Sequence, residues 1–144
     1  MKKILIFALF AILSFGITTT VKAQAGELKT ASGIAFDSVS NAATTKYLYT
    51  PEISGKKEVA SISLKAVKVS GTVSGTATLE ASNDGTDWYP YYNSMDSTHS
   101  WNLTDLASQG YRWKLSQTSD LKFRVKIVVS GTQVARVTGF YRFR

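Results

Sequence analysis

Apolar and polar residues alternate with a period of two along most of this chain, and no segment beyond the first 25 residues shows the period of an amphipathic helix. Residues 122–127, for example, read Lys-Phe-Arg-Val-Lys-Ile. Successive side chains of a strand point to opposite faces, so such runs predict strands with one buried side. Gly, Ser, Asn and Asp separate the runs, and Asn83-Asp84-Gly85 is a tight-turn signal because these residues tolerate positive φ. The chain is therefore predicted to be all-β.

The spacing of the turn signals predicts eight or nine short antiparallel strands in a single β-sandwich of the jelly-roll type. A chain of 144 residues has room for one such domain. Residues 59–69 carry apolar side chains on both parities, which predicts a β-bulge near 65–67 or burial of that strand on both faces. The large residues expected in the core are Trp88, Tyr111, Trp113 and Phe123.

The N-terminus has the three parts of an export signal. Residues 1–3 carry two lysines, residues 4–17 are almost entirely apolar, and small residues at Ala23 and Ala25 form an Ala-x-Ala cleavage site. Val21 with Ala23 offers a second site two residues earlier. The apolar stretch is shorter than the roughly 20 residues of a membrane-spanning helix. We therefore predict a cleaved bacterial Sec-type signal peptide.

The predicted organisation is a signal peptide over 1–25, a flexible leader over 26–33 and a β-sandwich domain over 34–144. Cleavage after Ala25 removes three lysines and no acid, so the basic residues fall from 17 to 14 against 10 acids and the net charge from +7 to +4. The product is expected to be secreted or periplasmic and not to span a membrane. The chain has no cysteine, which excludes disulfides, thiol catalysis and Cys-ligated metals.

Catalytic groups are sparse. His99 is the only histidine, it lies in a polar segment, and no Gly-x-Ser-x-Gly elbow accompanies it. A dispersed carboxylate pair of the glycosidase kind would need two acids at the correct separation. Most Asp residues stand where turns are predicted, however, and Asp is common in turns for reasons of backbone hydrogen bonding. We predict that the protein is not an enzyme and has no cofactor.

A candidate calcium site is formed by the oxygen-bearing side chains of Asn83, Asp84 and Asp87, which surround one glycine turn. Their spacing does not match an EF-hand loop, and only two of the three are carboxylates. An unliganded hairpin turn is therefore the preferred interpretation.

Aromatic residues are concentrated in and around the segment 88–92, and Trp101 follows nearby. Exposed aromatic rings on a sandwich can bind the apolar faces of sugars, and exposed patches of this kind mark contact sites. The candidate ligand-binding residues are Tyr89, Tyr92 and Trp101.

Basic residues alternate with aromatic ones at 111–114 and 122–124. In a strand this pattern directs the rings inward and the cations outward, so no nucleic-acid site is predicted. A basic sheet face could still meet an acidic polysaccharide, lipopolysaccharide or an acidic protein surface.

The run from Leu79 to Trp88 contains Ser-Asn-Asp-Gly-Thr-Asp-Trp and resembles the Ser-x-Asp-Gly-x-x-Trp hairpin of discoidin-like, galactose-binding-type jelly rolls. This resemblance covers the hairpin alone. It implies recognition of carbohydrate or of a surface by loops at one end of a sandwich, and it assigns no ligand residue.

Residues 67–88, together with the hairpin at 122–129, resemble small β-sandwich proteins encoded by phages and prophages. In those proteins a Val-Ser-Gly-Thr-Val-x-Gly-Thr-x-x-Leu stretch, which stands here at 69–79, leads into Ser-x-Asp-Gly-Thr. This second resemblance implies a structural or decorating role on a particle or surface.

Two functions remain open from the sequence. The first is an exported, non-catalytic interaction or structural module whose partner is another protein, a second copy of itself or a cell-surface glycan. The alternative is a carbohydrate-binding module that uses exposed Tyr and Trp side chains.

Overall fold

A computed structural model describes residues 24–40, 45–53, 60–92, 99–115 and 122–144. These residues form ten β-strands, and none of their segments is a helix long and apolar enough to cross a membrane. The strands are β1 (Gln24–Glu27), β2 (Phe36–Ser40), β3 (Thr45–Tyr49), β4 (Ala60–Ser70), β5 (Gly75–Ser82), β6 (Tyr89–Pro90), β7 (Ser100–Leu103), β8 (Ser108–Leu115), β9 (Lys122–Val129) and β10 (Val134–Phe143).

The strands form two five-stranded antiparallel sheets. The first sheet has the order β1-β10-β4-β8, with β2 also paired to β10. The second has the order β3-β9-β5-β6, with β7 also paired to β5. In each sheet, two short strands pair one after the other along the same edge of a long strand: β1 and β2 along β10, and β6 and β7 along β5. The all-β sandwich predicted from the sequence is confirmed, with ten strands in the described residues where eight or nine were expected.

The core lies between the sheets and is built from the apolar parity of each strand. In β9 every second residue, from Phe123 to Val129, is buried, and the intervening residues are half-exposed. Burial of this apolar surface is the main favourable contribution to folding, about 25 cal/mol per Å². The largest fully buried apolar side chains are Phe123, Phe143, Leu28, Leu48, Ile53, Ile62, Leu64, Leu79 and Ile127.

The sequence predicts a flexible leader over 26–33. Its first residues are instead paired in β1 or buried in the core, so the prediction is wrong for them. Gly26 pairs with Tyr141 in β10, and Leu28 is 0% exposed. The Leu28 N–H donates to the Gly139 carbonyl at 2.8 Å. Leu28 sits directly against Gly139, where a Cβ would lie 2.4 Å from the leucine side chain. The folded domain therefore includes residues before 34.

Apolar residues occupy both alternating sets of positions in β4, but neither predicted reason, a bulge near 65–67 or burial on both faces, is correct. Ile62, Leu64 and Ala66 are buried, whereas Val67 and Val69 are exposed on the outer face of the first sheet. The register of β4 against β10 is regular up to Lys68 and shifts only beyond it, where Ser70 pairs with Val134. The irregularity thus lies at residue 69 and not at 65–67, and the strand is buried on one face only.

The prediction that Trp88 lies in the core is also wrong. Trp113 and Phe123 are buried as predicted, and Tyr111 is half-buried against the core. Trp88 is half-buried as well, but it contacts Arg124 and Tyr49, which belong to the second sheet and lie outside the core cluster.

Candidate functional site

A groove of about 500 Å³ runs along β6 at the edge of the second sheet. Tyr89 and Tyr92, two of the three predicted ligand-binding aromatics, both line it and are 67% and 69% exposed. The complete lining is Ala81, Ser82, Asn83, Asp84, Asp87, Tyr89, Pro90, Tyr91 and Tyr92. The structure therefore brings two exposed phenol rings and two carboxylates to one groove.

Tyr91 fixes the aromatic side of the groove to the sandwich. Its N–H donates to the Leu79 carbonyl at 2.9 Å, and its ring meets Phe123 edge-on with centroids 5.4 Å apart. Because alternate residues of an extended chain point to opposite sides, anchoring Tyr91 orients Tyr92 outward. The Tyr92 ring also lies 4.5 Å from the His99 ring, which restrains it from one side.

The turn 82–87 forms the polar side of the groove and is held by a single carboxylate oxygen. Asp84 Oδ1 accepts hydrogen bonds from the Thr86 N–H at 2.8 Å, the Asp87 N–H at 2.9 Å and the Ser82 hydroxyl at 2.9 Å. Ser82 Oγ in turn accepts the Gly85 N–H at 2.8 Å. A charged acceptor strengthens the three hydrogen bonds to Asp84, so they hold the turn in one conformation while Asp84 is ionised.

These hydrogen bonds lower the pKa of Asp84, first through the Thr86 N–H, then through the Asp87 N–H and the Ser82 hydroxyl. Gly85 has φ +79°, a left-handed conformation that favours glycine. Trp88 Nε1 donates to the Gly85 carbonyl at 3.2 Å and ties the end of the turn back to its centre. The groove therefore has a fixed, negatively charged wall.

Trp101, the third predicted ligand-binding aromatic, is not in the groove. It pairs with Ala77 in β5, whose side chain is fully buried, so the register turns Trp101 toward the other sheet. Its ring stacks on Tyr111 with centroids 6.0 Å apart and an interplanar angle of 15°. Trp101 packs against the core and does not meet Tyr89 or Tyr92.

The candidate calcium residues Asn83, Asp84 and Asp87 do lie together at the groove. Asp84 Oδ1, however, already accepts three hydrogen bonds from the turn itself, as the preferred hairpin interpretation expects. Within the described ranges, no three His, Asp or Glu side chains come together in a way that could hold a metal ion. The turn is therefore stabilised by its own N–H and hydroxyl donors.

His99 is positioned by packing. Its carbonyl accepts the Leu79 N–H at 2.8 Å, and its ring contacts Tyr92. Its Nδ1 is buried and has no hydrogen-bond partner among the described residues. Neither a hydroxyl nucleophile nor a carboxylate reaches this nitrogen in the part of the chain that the structure describes.

Sequence reasoning missed the ion pair behind the groove. Glu80 is 6% exposed on the outward parity of β5, and Arg124 Nε donates to its Oε2 at 2.6 Å. The Arg124 guanidinium carbon lies 4.4 Å from the ring centroids of both Tyr47 and Trp88. The alternation of β5 and β9 places both charges on outward positions, but only the register pairs them, since Glu80 stands opposite Arg124.

No protein-family model matches the chain, and the search of curated proteins found no match. Solved structures with a similar fold exist, among them three that are 15% identical or less. A structure described as CBM4, a carbohydrate-binding module, is 15% identical, with a TM-score of 0.43 over 90% of this chain and 77% of that one. The module TmCBM61, solved with β-1,4-galactotriose, is 12% identical, with a TM-score of 0.42 over 86% and 89% of the two chains.

The enzymatically active domain of tailspike protein 4 of bacteriophage CBA120 is 9% identical, with a TM-score of 0.49 over 85% of this chain. The chain spans only 18% of that tailspike chain. These likenesses concern the β-sandwich fold.

Proposed function

We propose that this protein binds neutral carbohydrate, without cleaving it, in the groove along β6. The observation that carries the proposal is the position of Tyr89 and Tyr92, which are about two-thirds exposed and line the same groove as the rigid turn 82–87. Large apolar side chains that stay exposed beside polar groups mark contact sites. The groove therefore offers both apolar aromatic faces and polar hydrogen-bonding groups to a sugar.

Sugars present apolar C–H faces and polar hydroxyl edges. The π-faces of Tyr89 and Tyr92 are suited to the first, and binding pockets commonly pair such apolar surface with a few fixed polar groups. Asp84 and Asp87 are suited to the second, because a carboxylate accepts strong hydrogen bonds from hydroxyl donors. Two carboxylates in the groove disfavour acidic sugars, so the proposed ligand class is neutral.

The electrostatics support binding rather than hydrolysis. A glycosidase needs one carboxyl group that holds a proton at working pH. The pKa of Asp84 is lowered by the Thr86 and Asp87 N–H groups and the Ser82 hydroxyl, so this residue is a poor proton donor. Glu80, the nearby buried acid, is held by Arg124.

Export is part of the proposal. The signal sequence favours a product outside the cytoplasm, where polysaccharides of cell walls, capsules and the medium are accessible. The proposal keeps the broader expectation of a non-catalytic interaction module and names a glycan as its partner.

The direct test is calorimetric titration of the purified protein with neutral tetrasaccharides of glucose, galactose, mannose and xylose. At least one should give saturable binding. Tyr89→Ala and Tyr92→Ala should each weaken it about tenfold, which corresponds to about 1.4 kcal/mol. Leu106→Ala is the matched control, because Leu106 is 55% exposed and is not among the groove residues.

Absence of binding to every sugar, or binding that both tyrosine variants retain, would refute the proposal. Light scattering on the same samples then addresses the remaining candidate. A protein that binds no sugar and self-associates would be a structural module.

A further inference from the structure

The outer face of the first sheet carries a concentration of positive charge that the proposed sugar groove does not use. Five exposed basic residues occupy the outward parity of β4, β8 and β10. The one acid that the register places on this face, among the described residues, is Glu27 in the edge strand β1. The five basic residues are Lys65, Arg112, Lys114, Arg136 and Arg142.

Three of these residues form a diagonal line across adjacent strands. Lys65 pairs with Gly110, two residues before Arg112, and it also pairs with Thr138, two residues after Arg136. Each step along Arg112, Lys65 and Arg136 therefore crosses one strand and moves two residues. With strands about 4.8 Å apart and a rise of about 3.3 Å per residue, successive Cα atoms lie about 8 Å apart. This is a regular row of positive charge.

A hollow of about 610 Å³ lies between the first two members of the row. Gly110 leaves it open, because glycine contributes no side chain on the outer face. Lys65 and Arg112 flank the hollow, and Ser63 and Ser108, which share the outward parity, line it as well. The row thus contains a site with two cations and two hydroxyl groups.

The cations of the two sheets differ in their partners. Lys122, Arg124 and Lys126 of the second sheet each form an ion pair with Glu52 or Glu80. Lys65 and Arg112 form no ion pair within 4.0 Å among the described residues. Arg136 is held by Phe36, whose ring centroid lies 3.8 Å from the guanidinium carbon.

We propose that this face binds a linear acidic polysaccharide, with the carboxylates of a polyuronate placed along Arg112, Lys65 and Arg136. A guanidinium binds a carboxylate with two parallel hydrogen bonds, and an ammonium binds it as a point charge. The serine hydroxyls of the hollow accept and donate hydrogen bonds to sugar hydroxyls. The exposed ring of Phe140, which is directly across Ser63 from Arg112, offers a surface for a sugar C–H face.

Two other occupants are less suited to this face. A second copy of the chain packed on the same face would place the cationic row against itself, which is repulsive. An anionic bilayer would meet the charges but would leave the serine-lined hollow without a role. The proposal is independent of the sugar groove, which lies on the other sheet and has acidic walls.

The test is fluorescence anisotropy of the purified protein with a labelled decamer of galacturonate at low salt. The same decamer with its carboxylates methyl-esterified is the uncharged control. The acidic decamer should bind, the ester should bind at least tenfold more weakly, and raising the salt to about 0.5 M should weaken binding to the acid further, because screening is then strong. Lys65→Gln/Arg112→Gln should reduce the affinity at least tenfold.

Lys122→Gln/Lys126→Gln is the charge-matched control on the second sheet and should retain at least half of the affinity. Ser63→Tyr fills the hollow without changing the charge and should also weaken binding. Equal loss in both charge variants, no effect of esterification, or tighter binding to phosphatidylglycerol vesicles than to the decamer would overturn the proposal. Circular dichroism of each variant verifies that it is folded.

Discussion

Arg124 donates from Nε to Glu80 Oε2 at 2.6 Å on the outer face of the second sheet, where Glu80 is only 6% exposed. Trp88 and Tyr47 flank the guanidinium, and Trp88 also holds the Gly85 carbonyl. The ion pair therefore connects the turn 82–87 to β9 through one tryptophan. The polar wall of the proposed sugar groove depends on this packing.

Removing one partner of this pair should destabilise the fold. Arg124→Met leaves the Glu80 carboxylate nearly buried, and the one cation left to pair with it among the described residues is Lys126, whose ammonium lies 4.0 Å away. We expect a loss of about 3 kcal/mol in the free energy of unfolding, measured by urea denaturation. The double variant Glu80→Leu/Arg124→Met should recover most of that loss, because neither charge is then left unpaired. A double variant as unstable as Arg124→Met alone would show that desolvation of Glu80 is not the cause.

The free energy of unfolding should decrease at acidic pH, in part because Asp84 becomes protonated. The folded-state pKa of Asp84 is lowered from its ordinary value of 3.8, chiefly by the Thr86 N–H. A depressed pKa means that the carboxylate contributes stability above about pH 3.8 and that this contribution is lost as the pH falls through the folded-state pKa. Asp84→Asn should therefore be less stable than the wild type at pH 7, and the difference should shrink below pH 3.8.

Asp105 gives an independent test of how a carboxyl group with a lowered pKa affects stability at acidic pH. Its pKa is lowered by Lys68, whose ammonium donates at 2.8 Å, and by the Val73 N–H. Asp105→Asn should show the same narrowing below pH 3.8 without any change in sugar affinity. Thermal unfolding at pH 7, 4 and 2.5 measures both variants. A stability difference between Asp84→Asn and the wild type that is constant across these pH values would contradict the assignment.

Much of the fold follows from the period of two. The buried residues of β9 and the inward set Ala77, Leu79 and Ala81 of β5 lie where the alternation places them, since the inward face of each strand packs in the core. Leu28 was missed because a single apolar residue among polar ones has no period. Its burial is set by the pairing of β1 with β10, which is a long-range contact.

The aromatic residues show where alternation is insufficient. Trp88 follows a turn whose hydrogen bonds decide how the chain leaves it, so the parity of β5 does not continue into Trp88. Trp101 pairs with Ala77, a register that the sequence does not specify, and it therefore faces inward. Tyr89 lies in β6 and Tyr92 just after it, at an edge of the second sheet where Pro90 is tolerated, and both side chains are exposed there. Their role in sugar binding stays a prediction.

Trp101 should matter for stability and not for sugar binding. Its ring is half-buried and stacks on Tyr111, so Trp101→Ala removes apolar contacts and leaves a void at the edge of the core. We expect a loss of about 2 kcal/mol in unfolding free energy, below the range for fully buried tryptophans. Sugar affinity should change by less than about twofold. A variant of normal stability that no longer binds sugar would place Trp101 in the site.

The structure also bears on where the proposed signal peptide would be removed. Gln24 pairs with Phe143, and Ala25 with Arg142, so cleavage after Ala25 would delete half of β1. We expect the exported protein to begin at Gln24, by cleavage at the earlier of the two sites, after Ala23. Intact-mass spectrometry of the exported product measures this directly. A mature chain that begins at Gly26 and is as stable as one that begins at Gln24 would show that these two residues are dispensable.

Sugar binding in the groove along β6 is tested most directly by a ¹⁵N-NMR titration of the protein with the neutral tetrasaccharide that binds most tightly in calorimetry. We expect saturable amide shifts concentrated in residues 82–92, with the outer face of the first sheet unaffected. Shifts that cluster on β4, β8 and β10 instead, or no saturable shift with any of the four sugars, would contradict it.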